Sequence, residues 1–165
     1  MSVDGLRAVR EDDSAAVIEL IGGCFAEYPG CVLDLDGIDA WMRVPASSYA
    51  QRGGECWVVE RAGCVVACAG YRPAEDGSVE LKSLYVAAVA RRGGLGARLV
   101  ALVEDAAARA GAHRVTLWSD TRFGAAHRLY ERLGYERGPA TRELHDPSQS
   151  VEFGYAKDLP LAGAR

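Results

Sequence analysis

The chain lacks several features that would have assigned it early. No long basic run occurs among its 19 lysines and arginines, and 23 acidic residues leave a formal net charge of −4. It therefore has no extended basic footprint for nucleic acid, and no nucleic-acid partner is expected, though a local basic pocket stays possible. No apolar stretch approaches the length of a membrane span, so no membrane partner is expected either. Met1 to Arg10 mixes acid and base without an apolar signal core, which leads us to expect a cytoplasmic protein. There are only five cysteines, Cys24, Cys31, Cys56, Cys64 and Cys68, an odd count with no C-x-x-C pair. By strand alternation Cys64 and Cys68 share one face. No second Cys/His pair completes a zinc site, so buried free thiols in a reducing compartment and no metal are expected. Repeats, low-complexity tracts and linkers are missing as well.

What is present is ordinary in bulk. With 165 residues, 49% apolar and 25% charged, the chain can build one domain with a real core, spanning 1–165. Leu6 to Val9 reads as a short strand. Asp12-Asp13-Ser14 is a helix start, and Val17, Ile18, Ile21 and Phe25 give Ala15 to Phe25 helical spacing, broken by Tyr28-Pro29-Gly30. Asp36 to Tyr49 is a second helical region, interrupted at Pro45 and ended by Gly53-Gly54. Cys56 to Arg61 and Cys64 to Tyr71 flank Ala62-Gly63 as a hairpin, and Val79 to Val86 adds a third strand after the turn Pro73 to Ser78. A helix from Leu95 to Ala110 closes at Gly111, Arg114 to Trp118 is a strand, and Gly124 to Leu133 is a helix closed by Gly134. Tyr135 to Arg137 opens a strand, Pro139 to Ser150 is the longest loop, and Val151 to Leu159 is the last strand. Two helical regions, an antiparallel meander, then helix–strand–helix–strand make a mixed α/β domain of the α+β type.

The most informative stretch is Arg91-Arg92-Gly93-Gly94-Leu95-Gly96-Ala97, between the Val79–Val86 strand and a helix. A glycine turn there leaves backbone N–H groups at a helix start, where the dipole favours phosphate, and two arginines add charge-assisted donors. No G-x-x-x-x-G-K-[ST] run exists. Gly94-Leu95-Gly96 supplies half of a dinucleotide fingerprint, but Leu99 stands where its third small residue belongs. Asp120 could serve as a ribose-binding acid, yet that fold opens with parallel βαβ units and these strands read as antiparallel.

Arg91-Arg92-Gly93-Gly94-Leu95-Gly96 resembles the Q/R-x-x-G-x-G/A loop of the GNAT superfamily of acyl-CoA-dependent N-acetyltransferases. Ala126-His127-Arg128-Leu129-Tyr130-Glu131-Arg132-Leu133-Gly134-Tyr135 looks like that family's A-x-x-x-Y-x-x-x-G-F helix. The two motifs lie roughly thirty residues apart with a strand between them, and together they are far more specific than either alone. The resemblance covers nearly the whole order of elements. It implies a mainly antiparallel central sheet flanked by helices, with the strand carrying Val86 splayed from the strand Arg114–Trp118. It implies acetyl-CoA as co-substrate, its pyrophosphate on the backbone of Arg92, Gly93, Gly94, Leu95, Gly96 and Ala97 beside Arg91. The pantetheine arm would pair with the backbone of Leu84, Tyr85 and Val86, and a backbone N–H near Val86 would polarise the thioester carbonyl. Phe123 stands where many relatives carry a cofactor-contacting Asn, and Arg92 replaces a frequent glycine. Many relatives dimerise, so a homodimer is one implied state.

Acetyl transfer to an amine requires a base for the amine, donors for the oxyanion and a proton for the departing thiolate. By resemblance Tyr130 is the acid; the other reading is a core aromatic on an amphipathic helix. Glu80, six residues before Val86, resembles the general-base glutamate of histone-acetylating relatives. By alternation it shares a face with Lys82, Leu84 and Val86, and it is either that base or a strand residue paired with Lys82. Ser83 could instead hold a catalytic water. Asp34, Asp36 and Asp39 either form an acidic mouth for a cationic amine or cap and solvate their loop, the reading we favour. His127 reads as a helix-surface histidine. Arg142, His145, Asp146 and Glu152 either line an acceptor pocket or pair with one another. Two function classes follow: an N-acetyltransferase acting on a primary amine of a small molecule or protein, or a catalytically silent acyl-CoA-binding regulatory module. Retained Tyr130 and Glu80 favour the enzyme.

Overall fold

The computed structural model describes residues 2–161. Seven strands form one sheet in the order β1-β2-β3-β4-β5-β7-β6. They are β1 (Leu6–Ala8), β2 (Glu55–Arg61), β3 (Cys64–Pro73), β4 (Val79–Val86), β5 (Arg114–Asp120), β6 (Glu136–Glu143) and β7 (Val151–Asp158). Helices α1 (Ser14–Phe25) and α2 (Pro45–Gln51) precede the meander, and α3 (Leu95–Arg109) and α4 (Gly124–Arg132) follow it. Every neighbouring pair is antiparallel except β4 and β5. That parallel pair is joined only at Val79↔Val115 and Glu80↔Thr116, so the two strands part after Glu80, as the resemblance implied.

Two apolar layers hold the sheet. Leu95, Leu99, Val100 and Val103 of α3 pack with Val79, Leu81, Val115 and Leu117 on one face. On the other face Val17, Leu20, Ile21 and Cys24, one stripe of α1, pack on Val58 and Cys68. The β2–β3 hairpin turns through Ala62 and Gly63, both left-handed at φ 50° and 78°, the twist a tight hairpin requires.

Two bulges revise what alternation suggested. A register shift opposite Val59/Glu60 puts Val66 and Ala67 in the same layer, so Val65 and Cys68 share the α1 side. Cys64 therefore does not share a face with Cys68: it is exposed while Cys68 is buried. Cys24 and Cys56 are also buried free thiols, and Cys31 is half-buried. The second shift, between Cys68/Gly70, sets two residues of β4 against one of β3 at Ser83, which is left-handed at φ 56°. Beyond it the phase of β4 inverts. Leu84 and Val86 join Leu81 in the α3 layer, while Tyr85 joins the α1 layer. Glu80 thus does not share a face with Leu84 and Val86.

The chain's end also differs from expectation. Pro139 lies inside β6, and the loop is confined to Leu144 to Ser150. The register between Arg137 and Thr141 is broken, and β6 is an exposed edge strand, where a proline costs no ladder bond.

Candidate active site

Two clefts meet on the sheet where β4 parts from β5. One, about 710 Å³, runs from the glycine turn between α3 and α4 to Leu84, Tyr85 and Val86. The other, about 490 Å³, lies over the opposite face and is walled by α2, the loop before it and the loop before β7. Tyr85 and Phe123 line both.

The glycine turn presents the start of a 15-residue helix to the first cleft. Arg92 is left-handed at φ 71° and Gly94 at 75°, so successive N–H groups curl into a concave cradle. A Cβ added at Gly93 or Gly94 would meet nothing within 4 Å, which leaves room for a ligand against the backbone. Among an L-residue's conformations the one Arg92 adopts is unfavourable by about 1–2 kcal/mol. The two arginines differ. Arg91 donates from Nε to the Val86 carbonyl at 2.9 Å, and its Nη1 and Nη2 grip both oxygens of Glu27 at 2.6 Å. Its guanidinium thereby ties the end of α1 to the end of β4, leaving its backbone for the turn. The Arg92 side chain is exposed and forms no ion pair among the described residues.

Tyr130, from α4, is 5% exposed and packs on Tyr135 and Tyr155 at ring distances of 5.9 and 5.8 Å. Burial, with Tyr155 adding to it, raises its phenol above the ordinary value, so it stays protonated. Among the described residues no buried side-chain oxygen or nitrogen is left without a partner. Among the described residues no protein group bonds the Tyr130 hydroxyl, and Tyr130 itself is not among the residues lining either cleft. His127, one turn earlier, is not on the surface. It is 6% exposed, stacks on Tyr155 at 5.6 Å and bonds the Asp120 carbonyl through Nε2 at 2.9 Å. Burial lowers its affinity for a proton, and a neutral Nε2–H satisfies the carbonyl. The helical spacing was legible, but which face would be covered by β7 was not.

Glu80 lies in the second cleft, its side chain 14% exposed. It accepts from Arg72 Nε at 3.1 Å and Lys82 Nζ at 3.4 Å, so the pairing with Lys82 read from the sequence exists, together with a second cation from the facing strand. Arg72 sits directly across the ladder, a contact that only the β3–β4 register reveals. Ser83 Oγ meets the Tyr49 hydroxyl at 2.7 Å, and its carbonyl accepts from Cys68 Sγ at 3.1 Å. These two bonds pin the bulge. Gly70 makes room for Tyr49, whose ring lies 2.5 Å from where a Cβ would be.

Phe123, in place of the family Asn, packs at a tilt against Tyr28 at 4.9 Å and Phe25 at 6.1 Å, making an apolar wall where the clefts join. Asp120 is held by Arg122, which donates to both carboxylate oxygens at 2.9 and 2.8 Å. Burial alone would raise Asp120, but these bonds hold it below its ordinary value, and the ribose-acid reading falls with the antiparallel meander. Asp34 accepts from Ile38 N–H at 3.4 Å and Asp36 pairs with Arg43 in solvent, so both serve the loop. Asp39 is buried and lines the second cleft. Arg142, Asp146 and Glu152 line it too; Arg142 Nε bonds Glu152 at 2.6 Å, so the pairing reading holds for those two, while Asp146 instead accepts from Ser150. His145 is exposed beside Glu143 and takes no part.

The same architecture recurs among known proteins. An uncharacterized N-acetyltransferase, YjgM, of Escherichia coli is 30% identical over 139 residues, covering 79% of this chain and 81% of that protein. The fold matches a GNAT-family acetyltransferase structure from Staphylococcus aureus, with a TM-score of 0.80 at 17% identity, covering 94% of this chain and 98% of that one. It also matches yncA, a putative acetyltransferase of Salmonella typhimurium solved with acetyl-CoA, with a TM-score of 0.70 at 21% identity, covering 99% and 98%. The model of the Acetyltransferase (GNAT) family aligns with residues 16–135, which carry the glycine turn, the parting of β4 from β5 and the α4 tyrosine. By that match this chain belongs to the GNAT family of acetyltransferases.

Proposed function

We propose that this protein is a cytoplasmic N-acetyltransferase that moves an acetyl group from acetyl-CoA to a primary amine by direct attack in a ternary complex. One observation carries the reading: two clefts, one ending on a helix-start anion cradle and the other on a charged cavity, meet at Tyr85 where β4 has lost its neighbour. The yncA structure, which holds acetyl-CoA on a similar fold, supports the choice of co-substrate. In this reading the backbone of Arg92 to Ala97 holds the pyrophosphate, with Arg91 bracing the turn. The backbone of Leu84, Tyr85 and Val86 receives the pantetheine arm along the edge that β5 leaves open.

The amine nitrogen enters from the second cleft and attacks the thioester carbonyl carbon. A backbone N–H beyond the Ser83 bulge stabilises the tetrahedral oxyanion. Glu80 accepts the proton lost by the amine. The C–S bond then breaks, and Tyr130 supplies a proton to the departing thiolate.

Thermal unfolding with acetyl-CoA, NADH and ATP tests the first half. At a hundredfold excess over Kd a ligand binding only the folded state adds about 2.7 kcal/mol, which for a domain of this size is a rise of roughly 5–10 °C. A rise with acetyl-CoA alone is expected, and none would refute the reading. An amine panel followed by thiol release tests turnover; binding without turnover on any amine would refute catalysis.

A further inference from the structure

The second cleft is electrically divided. On its sheet side stand Arg72, Lys82 and Arg142, with Glu80 and Glu152 paired to them and Asp120 taken up by Arg122. The bonding of the three cations is incomplete. Lys82 Nζ has three protons and one bond, at 3.4 Å. Arg142 uses Nε on Glu152 and lies over the Trp118 ring at 4.5 Å, leaving both Nη groups without a protein acceptor among the described residues. Arg72 spends Nε and Nη2 on a single oxygen of Glu80. All three side chains are a third or so exposed, at 33%, 30% and 38%, and are thus half withdrawn from water with donors to spare. Such donors gain from an anionic partner that brings its own acceptors.

The other side of the cleft carries the opposite sign. Asp39 is buried, with one oxygen accepting Asp34 N–H at 2.8 Å, and no protein donor among the described residues reaches its other oxygen. The loop bearing Asp39 is tied to the loop before β7 by Ser148, which bonds the Val32 backbone at 2.8 and 2.9 Å. Asp39, Asp146 and Tyr85 line the same cleft, so the acidic side reaches the junction of the clefts, with Glu80 between it and the three cations.

Resting on the acetyltransferase reading, we infer that the acceptor is an amino acid: its ammonium lies on the Asp39 side beside Tyr85, and its carboxylate docks on Arg72, Lys82 and Arg142. A neutral amine would leave the half-buried donors unpaired, and sites built to bond a group discriminate strongly against analogues lacking it.

The test is acetylation of matched pairs, each L-amino acid against its own amide, followed by thiol release from acetyl-CoA. The acid is expected to exceed the amide in kcat/KM by tenfold or more. Lys82→Met and Arg142→Gln should each bring that ratio toward one, through the KM of the acid. Because Lys82 also touches Glu80, any loss in the chemical step affects both partners of a pair and cancels in the ratio. Amides used as well as acids, or a ratio unmoved by both substitutions, would overturn the inference and leave the acetyltransferase standing. If neither member of any pair is acetylated, thermal unfolding with CoA and each amino acid decides: no added stabilisation overturns the inference. Failure of acetyl-CoA itself to stabilise the protein would sink both readings together.

Discussion

Replacing Tyr130 by Phe separates chemistry from folding, because the structure sets the two effects far apart. The ring stays between Tyr135 and Tyr155, with the same apolar area buried. Only the hydroxyl is lost, and among the described residues no protein group bonds it, so no partner is orphaned. The stability change should lie within about 0.5 kcal/mol, a shift in Tm of less than about 2 °C for a domain of this length. The chemical step stands differently. In the proposed mechanism this phenol, held protonated by burial, hands a proton to the thiolate, and loss of a positioned acid costs typically about a hundredfold in rate, or about 2.7 kcal/mol of barrier. The assay is steady-state thiol release at saturating acetyl-CoA and amine, with thermal unfolding of both proteins with and without acetyl-CoA. We expect kcat to fall by about two orders of magnitude, with Tm and the acetyl-CoA-induced rise essentially unchanged. A variant with the wild-type Tm and a kcat within threefold of wild type would refute the role of Tyr130, leaving it a core aromatic.

Arg92→Gly should stabilise the fold slightly: relief of about 1–2 kcal/mol of left-handed strain outweighs roughly 0.5–1 kcal/mol of added chain entropy, and urea unfolding should show a higher midpoint. Affinity for acetyl-CoA should fall in the same variant, since the cradle keeps its shape and loses its free cation; a lower urea midpoint would contradict the strain. Gly70→Ala drives a Cβ to 2.5 Å from the Tyr49 ring, and overpacking of this kind costs about 1–3 kcal/mol; a change under 0.5 kcal/mol would show that Tyr49 moves freely and does not pin the Ser83 bulge. Asp13 accepts from both Arg7 Nη groups at 2.8 Å, which holds its carboxyl below its ordinary value of 3.8 against the opposing effect of burial. A depressed value in the folded state means stabilisation that is present above pH 3.8 and is lost as pH falls through the folded value. Asp13→Asn should therefore cost about 2 kcal/mol at pH 7 and much less near pH 2, and an equal loss at both would refute the pairing.

Local signals were strong wherever the chain's own chemistry sets the conformation. The Ala62-Gly63 hairpin, the Gly111 and Gly134 helix stops and the stripe of α1 read directly, because turn dihedrals and helical periodicity are properties of a few adjacent residues. The two bulges did not read at all. Each adds one residue to one strand of a pair, and that is a fact about two strands packed together. Cys64 was consequently placed on the wrong face, and so was Glu80 relative to Leu84 and Val86. His127 shows the same limit from the helical side: its spacing on α4 was clear, but β7, which covers it, lies more than twenty residues further on.

The sequence by itself determined the order of elements, the glycine turn at the start of α3, the tyrosine of α4 and the family that both motifs announce, since each resides in contiguous residues. Only the tertiary structure decided how those parts are used. It turned Arg91 onto Glu27, inverted β4 at Ser83, parted β4 from β5 after Glu80 and brought Arg72, Lys82 and Arg142 to one wall facing Asp39. Those outcomes depend on pairing and burial between residues distant in the chain, where a single extra residue in a strand exchanges one face for the other.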